Sequence, residues 1–374
     1  MVVEIAYELP YEDWGWKVGL YVALIGISGG AYLWGYAADV RSRNADSQAH
    51  GQVARYGYLT GLLGMAIGPP IMLTHLATPL RAMILPTTMT NFASWMTIGA
   101  YFIGGFVPGV LLMFVWAAFG SQRPHSPSAV DGSAKATTDG GRDVASDGDA
   151  AKAATGGGTA DGVRGIVGRI GFLGLLDDLA DRTRPSETAR LVIGGVVALF
   201  AAGVVLYSAM ALGSGSMERV PLWDKTYLVP VQLLSGLGAG LFVAVGLSAL
   251  ESRRVGTPLR NYSLIAAGLL AASLIAIVAT VTLLPGESET AAASVDNMLT
   301  TYAGLFLGVA LVGGIALPIA LSIGAAFGQR ADSLPENAVV ASYAAAAALV
   351  VVGKIALALT YLMAAEFTTL PLPV

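Results

Sequence analysis

Apolar residues run through this chain in eight long stretches, and polar residues gather in the connections between them. A helix needs about 20 mainly apolar residues to cross the hydrocarbon layer of a bilayer. The runs place spans near residues 16–37, 56–74, 93–119, 189–212, 226–250, 261–284, 299–327 and 338–364. The pattern predicts an all-α integral membrane protein with eight transmembrane helices. Only one connection is long. Residues 121–162 are mostly Gly, Ala, Ser, Thr and Asp with almost nothing to bury, which predicts a disordered linker. Beyond it, Ile166, Ile170, Leu173 and Leu176 stand near helical spacing within 163–182. That stretch reads either as an amphipathic helix on the membrane surface or as an early, frayed start to the fourth span.

Composition narrows the class. The chain is 55% hydrophobic and 12% charged, far from soluble averages. Spans and the linker absorb its length, so no separate water-soluble catalytic domain fits and soluble chemistry belongs to partner chains. Residues 1–13 carry Glu4, Glu8, Glu12 and Asp13 and no base, the reverse of a signal-peptide start, so the first span is expected to be retained. The acidic linker hints at a halophilic host.

Basic residues orient the spans. Arg41, Arg43, Arg55, Arg253, Arg254, Arg260 and Arg330 fall in the short loops after spans one, five and seven, against Lys17, Arg81, Arg219 and Lys225 on the other side. Arg123, Arg182, Arg184 and Arg190 flank the long loop and widen the difference. The positive-inside rule then puts the linker in the cytoplasm and both termini outside.

The first and fifth spans look like copies. Residues 24–31 read Leu-Ile-Gly-Ile-Ser-Gly-Gly-Ala, and at a constant offset residues 233–240 read Leu-Leu-Ser-Gly-Leu-Gly-Ala-Gly, with Trp14 and Trp223 preceding them. Four spans separate the copies, so the repeat is parallel and not inverted. Two four-helix bundles are the expected architecture. Residues 1–120 hold spans one to three, 121–188 the cytoplasmic linker, 189–212 the fourth span completing the first bundle, and 213–374 the second bundle. The small residues in both runs allow close helix approach, which is the plain reading of the glycines.

Candidate chemistry is sparse. The chain has three histidines, His50, His75 and His125, and no cysteine. A bis-histidine haem needs two histidines at matching depth, and two of these sit in cytoplasmic loops. No haem, iron–sulfur cluster or protein-bound metal is therefore expected in this chain. The carboxylates map to loops or helix ends, which argues against a proton pump or cation-coupled transporter. Lys354 alone lies well within a span, read either as part of an intramembrane polar path or as a lysine snorkelling to the outer surface. Between spans two and three, apolar residues alternate with His75, Arg81, Asn91 and Trp95, as in a re-entrant or interfacial segment.

Trp16 and the 24–31 run, then Leu76-Ala77-Thr78-Pro79-Leu80-Arg81, then Ser94-Trp95 opening span three, resemble the NrfD/PsrC family. These are the quinone-reactive membrane subunits of polysulfide, dimethyl sulfoxide and related molybdoenzyme reductases. Motifs carry the resemblance over the first four spans, and span count and repeat carry it over the rest. Family members usually have an Asp-Leu-Gly-Arg-Pro element where this chain has His75-Leu76-Ala77-Thr78-Pro79, so the roles of the motif charges do not transfer directly.

The resemblance implies a cofactor-free anchor in the cell membrane. It would bind menaquinone or another quinone near its outer face and exchange electrons with a four-cluster ferredoxin-like iron–sulfur subunit. A molybdopterin catalytic subunit would complete the complex on the outer face. On this reading His75, an imidazole able to titrate near neutral pH, replaces the acid as proton-exchanging group with Arg81 beside it. Lys17, Tyr21 and Asn91 are the further polar candidates, and Trp16 and Trp95 flank the ring. His75 also reads as an interfacial residue facing headgroups. Membrane lipid is the surrounding partner, and nucleic acid is not one. The competing classes are a secondary transporter with a parallel repeat, needing a midplane site on broken helices, and a passive scaffold. Orientation has a direct check. Protease added to sealed right-side-out vesicles is expected to spare residues 121–162; cleavage there would reverse the topology.

Overall fold

The computed structural model describes residues 15–44, 48–74, 92, 94–119, 173–213 and 220–367. Among them there is no strand, and eight helices are long and apolar enough to cross a membrane. The elements are α1 (Trp16–Asn44), α2 (Gln48–Leu73), α3 (Trp95–Ala118), α4 (Leu173–Thr183), α5 (Glu187–Met210), α6 (Lys225–Ser252), α7 (Thr257–Leu283), α8 (Glu289–Leu299), α9 (Leu317–Arg330) and α10 (Glu336–Met363). A π-helical segment, Gly304–Ala316, runs directly into α9 to make the seventh span. Helices are what apolar runs must form in lipid, because only they satisfy every backbone N–H and C=O internally.

Local chemistry sets the ends. Ser186 accepts a hydrogen bond from the Ala189 N–H to cap α5, Asp224 does the same for Thr226 at α6, and Ser288 for Ala291 at α8. The end of α6 turns through Arg253 in the left-handed region, φ 51°. Pro318 has no N–H to continue the π register, and the chain becomes α-helical from Leu317. The helices run through Pro69, Pro70, Pro108 and Pro230 without interruption. The broken midplane helices that a transporter site requires are therefore not found at these prolines.

Two helices extend further than hydropathy indicates. α1 continues to Asn44 and α2 begins at Gln48, because their polar residues at this end find partners inside the protein. Asp39 is buried against Arg190, and Arg55 is paired with Glu251. The amphipathic stretch is resolved over Leu173–Thr183 as a separate helix, since Pro185 disfavours helix at the residue before it and Ser186 caps a new one. Trp116 donates its indole N–H to Thr183, fixing α4 to α3. Residues 163–172, with Ile166 and Ile170, and the linker at 121–162 lie outside the described residues.

Helices α1, α2, α3 and α5 close one ring, each touching the next, and α6, α7, α9 and α10 close another. α1 belongs to the first ring and also lies against α6 and α10 of the second, which makes it the most buried span. Its glycines allow this. A Cβ on Gly30 would collide with the Gly236 backbone, and one on Gly240 with the backbone of Gly30 and Ala31. Gly236 lies nearest Gly26, and Gly240 lies against Ala31, so partners advance together along both helices and α1 and α6 cross in parallel. Gly35 meets Gly57 of α2 in the same way. For orientation, the end carrying Trp16, Trp95 and Trp223 is called the tryptophan face, and the end carrying Arg41, Arg55 and Arg190 the arginine face.

Glycine substitutions follow from this geometry. Gly30→Ala or Gly240→Ala is expected to cost about 1–3 kcal/mol through overpacking against backbone that cannot move aside. Gly26→Ala should be tolerated, its nearest neighbours standing 3.6–4.0 Å away. Thermal unfolding of the purified chain in detergent, followed by tryptophan fluorescence, checks both; equal stability of all three variants would contradict a rigid crossing.

Candidate functional site

Buried polar side chains cluster at three depths along the interior, and each cluster ties helices that are remote in sequence. At the tryptophan face of the first ring, Tyr21 in the second turn of α1 and Tyr207 in the last turn of α5 are both buried and interact through their hydroxyls. Gly68 of α2 and Gly99 of α3 leave room for them. The Tyr207 ring occupies the space a side chain at residue 99 would need, and Tyr21 lies beside Gly68. All four helices of the ring thus contribute to this end.

The expected site residues are placed unevenly. Tyr21 is buried, Lys17 is half-buried, Trp95 is half-buried at the start of α3, and Trp16 is largely exposed at 59%. All four stand at the tryptophan face, with Trp16 and Trp95 on helices that lie diagonally across the ring. His75, Arg81 and Asn91 lie outside the described residues. They belong to the stretch joining the end of α2 to the start of α3, both of which are at this face. Tyr207 was not among the expected residues; an aromatic in the last turn of a span reads from sequence as an interfacial anchor.

Lys354 is deeper. It sits nine residues before Met363, is 3% exposed and does not snorkel to the surface. Its ammonium donates to Ser235 Oγ at 2.6 Å, to the Gln232 side-chain oxygen, and to the Gln232 carbonyl at 3.4 Å. Three protons meet three neutral acceptors on α6, and no carboxylate takes part. Gln232 Nε2 is left without a partner. The space beside Gly26 opens onto both the Lys354 stem and Ser208 Oγ, so the cluster borders the crossing of α1 and α6. Gln232 and Ser235 carry no charge to mark them in an apolar run, and only the fold brings them to Lys354.

At the arginine face, ion pairs replace neutral bonds. Arg55 of α2 donates to both carboxylate oxygens of Glu251 on α6 at 2.6 Å, joining the two rings. Arg190 of α5 pairs with Asp39 of α1, whose other oxygen accepts from the Tyr58 hydroxyl at 2.9 Å. The acids are near helix ends, as the sequence indicates, yet both are buried. Buried pairs of this kind are costly to break, about 3–5 kcal/mol when one partner is lost. Among the described residues no three His, Cys, Asp or Glu side chains converge as a metal site.

The sequence profile of one protein family, described as "Polysulphide reductase, NrfD", matches residues 11–369. No curated protein matches the sequence.

Removing the ammonium at residue 354 isolates its role. Lys354→Ala leaves Gln232 and Ser235 facing a gap and is expected to destabilise the purified chain by about 1–3 kcal/mol. Replacing both sides by apolar groups, Lys354→Met with Gln232→Leu, should recover most of that loss. Unfolding temperatures in detergent decide, and an unchanged Lys354→Ala would remove the cluster as a fastening between α10 and α6.

Proposed function

Because the chain belongs to the NrfD polysulphide reductase family, as a match over nearly its whole length requires, we propose that it is the quinone-reactive membrane subunit of a molybdoenzyme-type respiratory reductase. It exchanges electrons between a membrane quinone, menaquinone or a relative, and a separate iron–sulfur subunit. A molybdopterin subunit carries the terminal chemistry. The observation that carries the reading within this chain is the Tyr21–Tyr207 pair, a buried hydroxyl donor at the tryptophan face of the first ring.

The quinone couple supplies two electrons and two protons when bound. What this chain must supply is an apolar slot, hydrogen-bond donors to the ring oxygens and a proton-exchanging group. The residues present fit that requirement. A Tyr21 or Tyr207 hydroxyl donates to a carbonyl, and apolar helix walls exclude water from it. Lys17 and Arg81 favour negative charge developing on a ring oxygen, and Asn91 adds a neutral donor. His75 exchanges the proton with the aqueous side. Trp16 and Trp95 hold this end of the ring at the membrane interface, where an apolar tail enters from the lipid. Electrons leave through the partner docked over this face, which under the positive-inside reading is the outer face. Lys354, held by neutral acceptors on α6, fastens α10 to α6 beside the crossing.

In assembled complexes, Tyr21→Phe is expected to lower quinol-driven turnover about ten- to a hundredfold, the worth of one lost buried hydrogen bond. His75→Ala should lower it about 10²–10⁴-fold. Dye-driven activity of the catalytic subunit, which bypasses this chain, should remain. Full quinol-driven turnover in assembled complexes carrying both substitutions would overturn the site.

A further inference from the structure

At the arginine face the two rings do not close completely. A cavity of about 810 Å³ opens between the end of α1, the start of α2 and the first two turns of α7. Its rim is polar. Arg41 acts electrostatically on both His50 and Tyr262, and His50 Nδ1 stands 2.9 Å from the Tyr262 hydroxyl. Asn261 is exposed one turn into α7. Arg55 and Arg190 are tied to Glu251 and Asp39, whereas among the described residues no carboxylate pairs with Arg41. The first turn of α7 also abuts the cavity at Thr257, and no side chain caps that helix start, so its positive end faces the same space.

The lower wall is apolar. Thr257, Asn261, Leu264 and Ile265 follow one face of α7 from the rim inward, and Ile265 is 38% exposed. From Thr257 to Ile265 the helix rises about 12 Å. One cation and a helix N-terminus at the interface, with an apolar groove continuing into the hydrocarbon, match a molecule carrying phosphate at one end and an acyl or alkyl chain at the other. A soluble anion would leave the groove empty, and an uncharged lipid would bring no charge to meet Arg41.

We infer that this seam is a binding site for an anionic phospholipid of the leaflet at the arginine face. The phosphate accepts from Arg41 and Asn261, and one chain lies along Leu264 and Ile265, filling the gap between the rings. The site is independent of the quinone reading. It lies at the opposite face and uses none of the same residues.

Native mass spectrometry of the purified full-length chain in detergent tests it, with phosphatidylglycerol, phosphatidylcholine and inorganic phosphate as probes. Phosphatidylglycerol should be retained in preference to phosphatidylcholine, and excess inorganic phosphate should not displace it. Arg41→Gln should weaken its retention about fivefold, as expected for one interfacial cation. Ile265→Trp, which fills the groove and leaves the rim intact, should weaken it as well, while Arg254→Gln on the same face should not. Equal retention of both lipids, full displacement by inorganic phosphate, or undiminished phosphatidylglycerol retention in both Arg41→Gln and Ile265→Trp would overturn the site.

Discussion

The close parallel crossing of α1 and α6 is the contact on which the other parts depend. In a membrane, leucine on one helix gains nothing by leaving lipid for leucine on another, so association must come from tight packing and polar bonds. Gly30, Gly236 and Gly240 keep side chains out of the closest contacts and let backbone meet backbone. With α1 held there, its other faces receive α2 through Gly35 and Gly57, and α5 through Gly29, whose Cβ position falls on Ala201 and Val205. One helix thereby organises three neighbours, and α10 lies against it as a fourth.

Polar bonds then fix the depth and rotation that packing alone leaves loose. The Arg55–Glu251 pair fastens the two rings at the arginine face, the Lys354 cluster fastens α10 to α6 beside the glycine crossing, and Trp223 donates its indole N–H to the Tyr361 carbonyl at 2.7 Å near the tryptophan face. Ser263 and Ser322 add a buried hydroxyl pair between α7 and α9. Such groups are expensive in hydrocarbon unless satisfied, so each one rejects helix rotations that would leave it unpaired. The ion pairs lie near the ends, where the headgroup region lowers their cost, and the deepest cation is met by neutral acceptors.

This division of labour leaves little room for chemistry inside the chain, which is consistent with a subunit that positions a carrier and hands electrons to partners. The tyrosine pair and the seam between the rings occupy opposite ends of the protein. Each is built where the rings meet water, and the interior between them is committed to holding helices together.

Hydropathy alone determined the eight spans, because an average over twenty residues reports lipid solubility whatever the helix touches. It also indicated α1 and α6 as helices of close approach, since a run such as Gly26 to Gly30 has few uses in a span other than admitting a neighbour. Spacing of Trp16, Tyr21 and Trp95 placed candidate residues at one face, because depth along a helix follows from residue number. The partners of each polar group were not legible. Gln232 and Ser235 look like any small polar residues in an apolar run until α10 brings Lys354 against them from more than a hundred residues away. Tyr207 joins Tyr21 only because α5 returns antiparallel to α1. The extra turns of α1 and α2 escaped hydropathy for a related reason: Asp39 and Arg55 are polar in sequence, and only their buried partners Arg190 and Glu251 make helix the favoured state there. Sequence fixes where a residue stands along the membrane normal, and tertiary structure decides which way it faces and what it meets, because rotation about a helix axis is set by the neighbours and not by the helix itself.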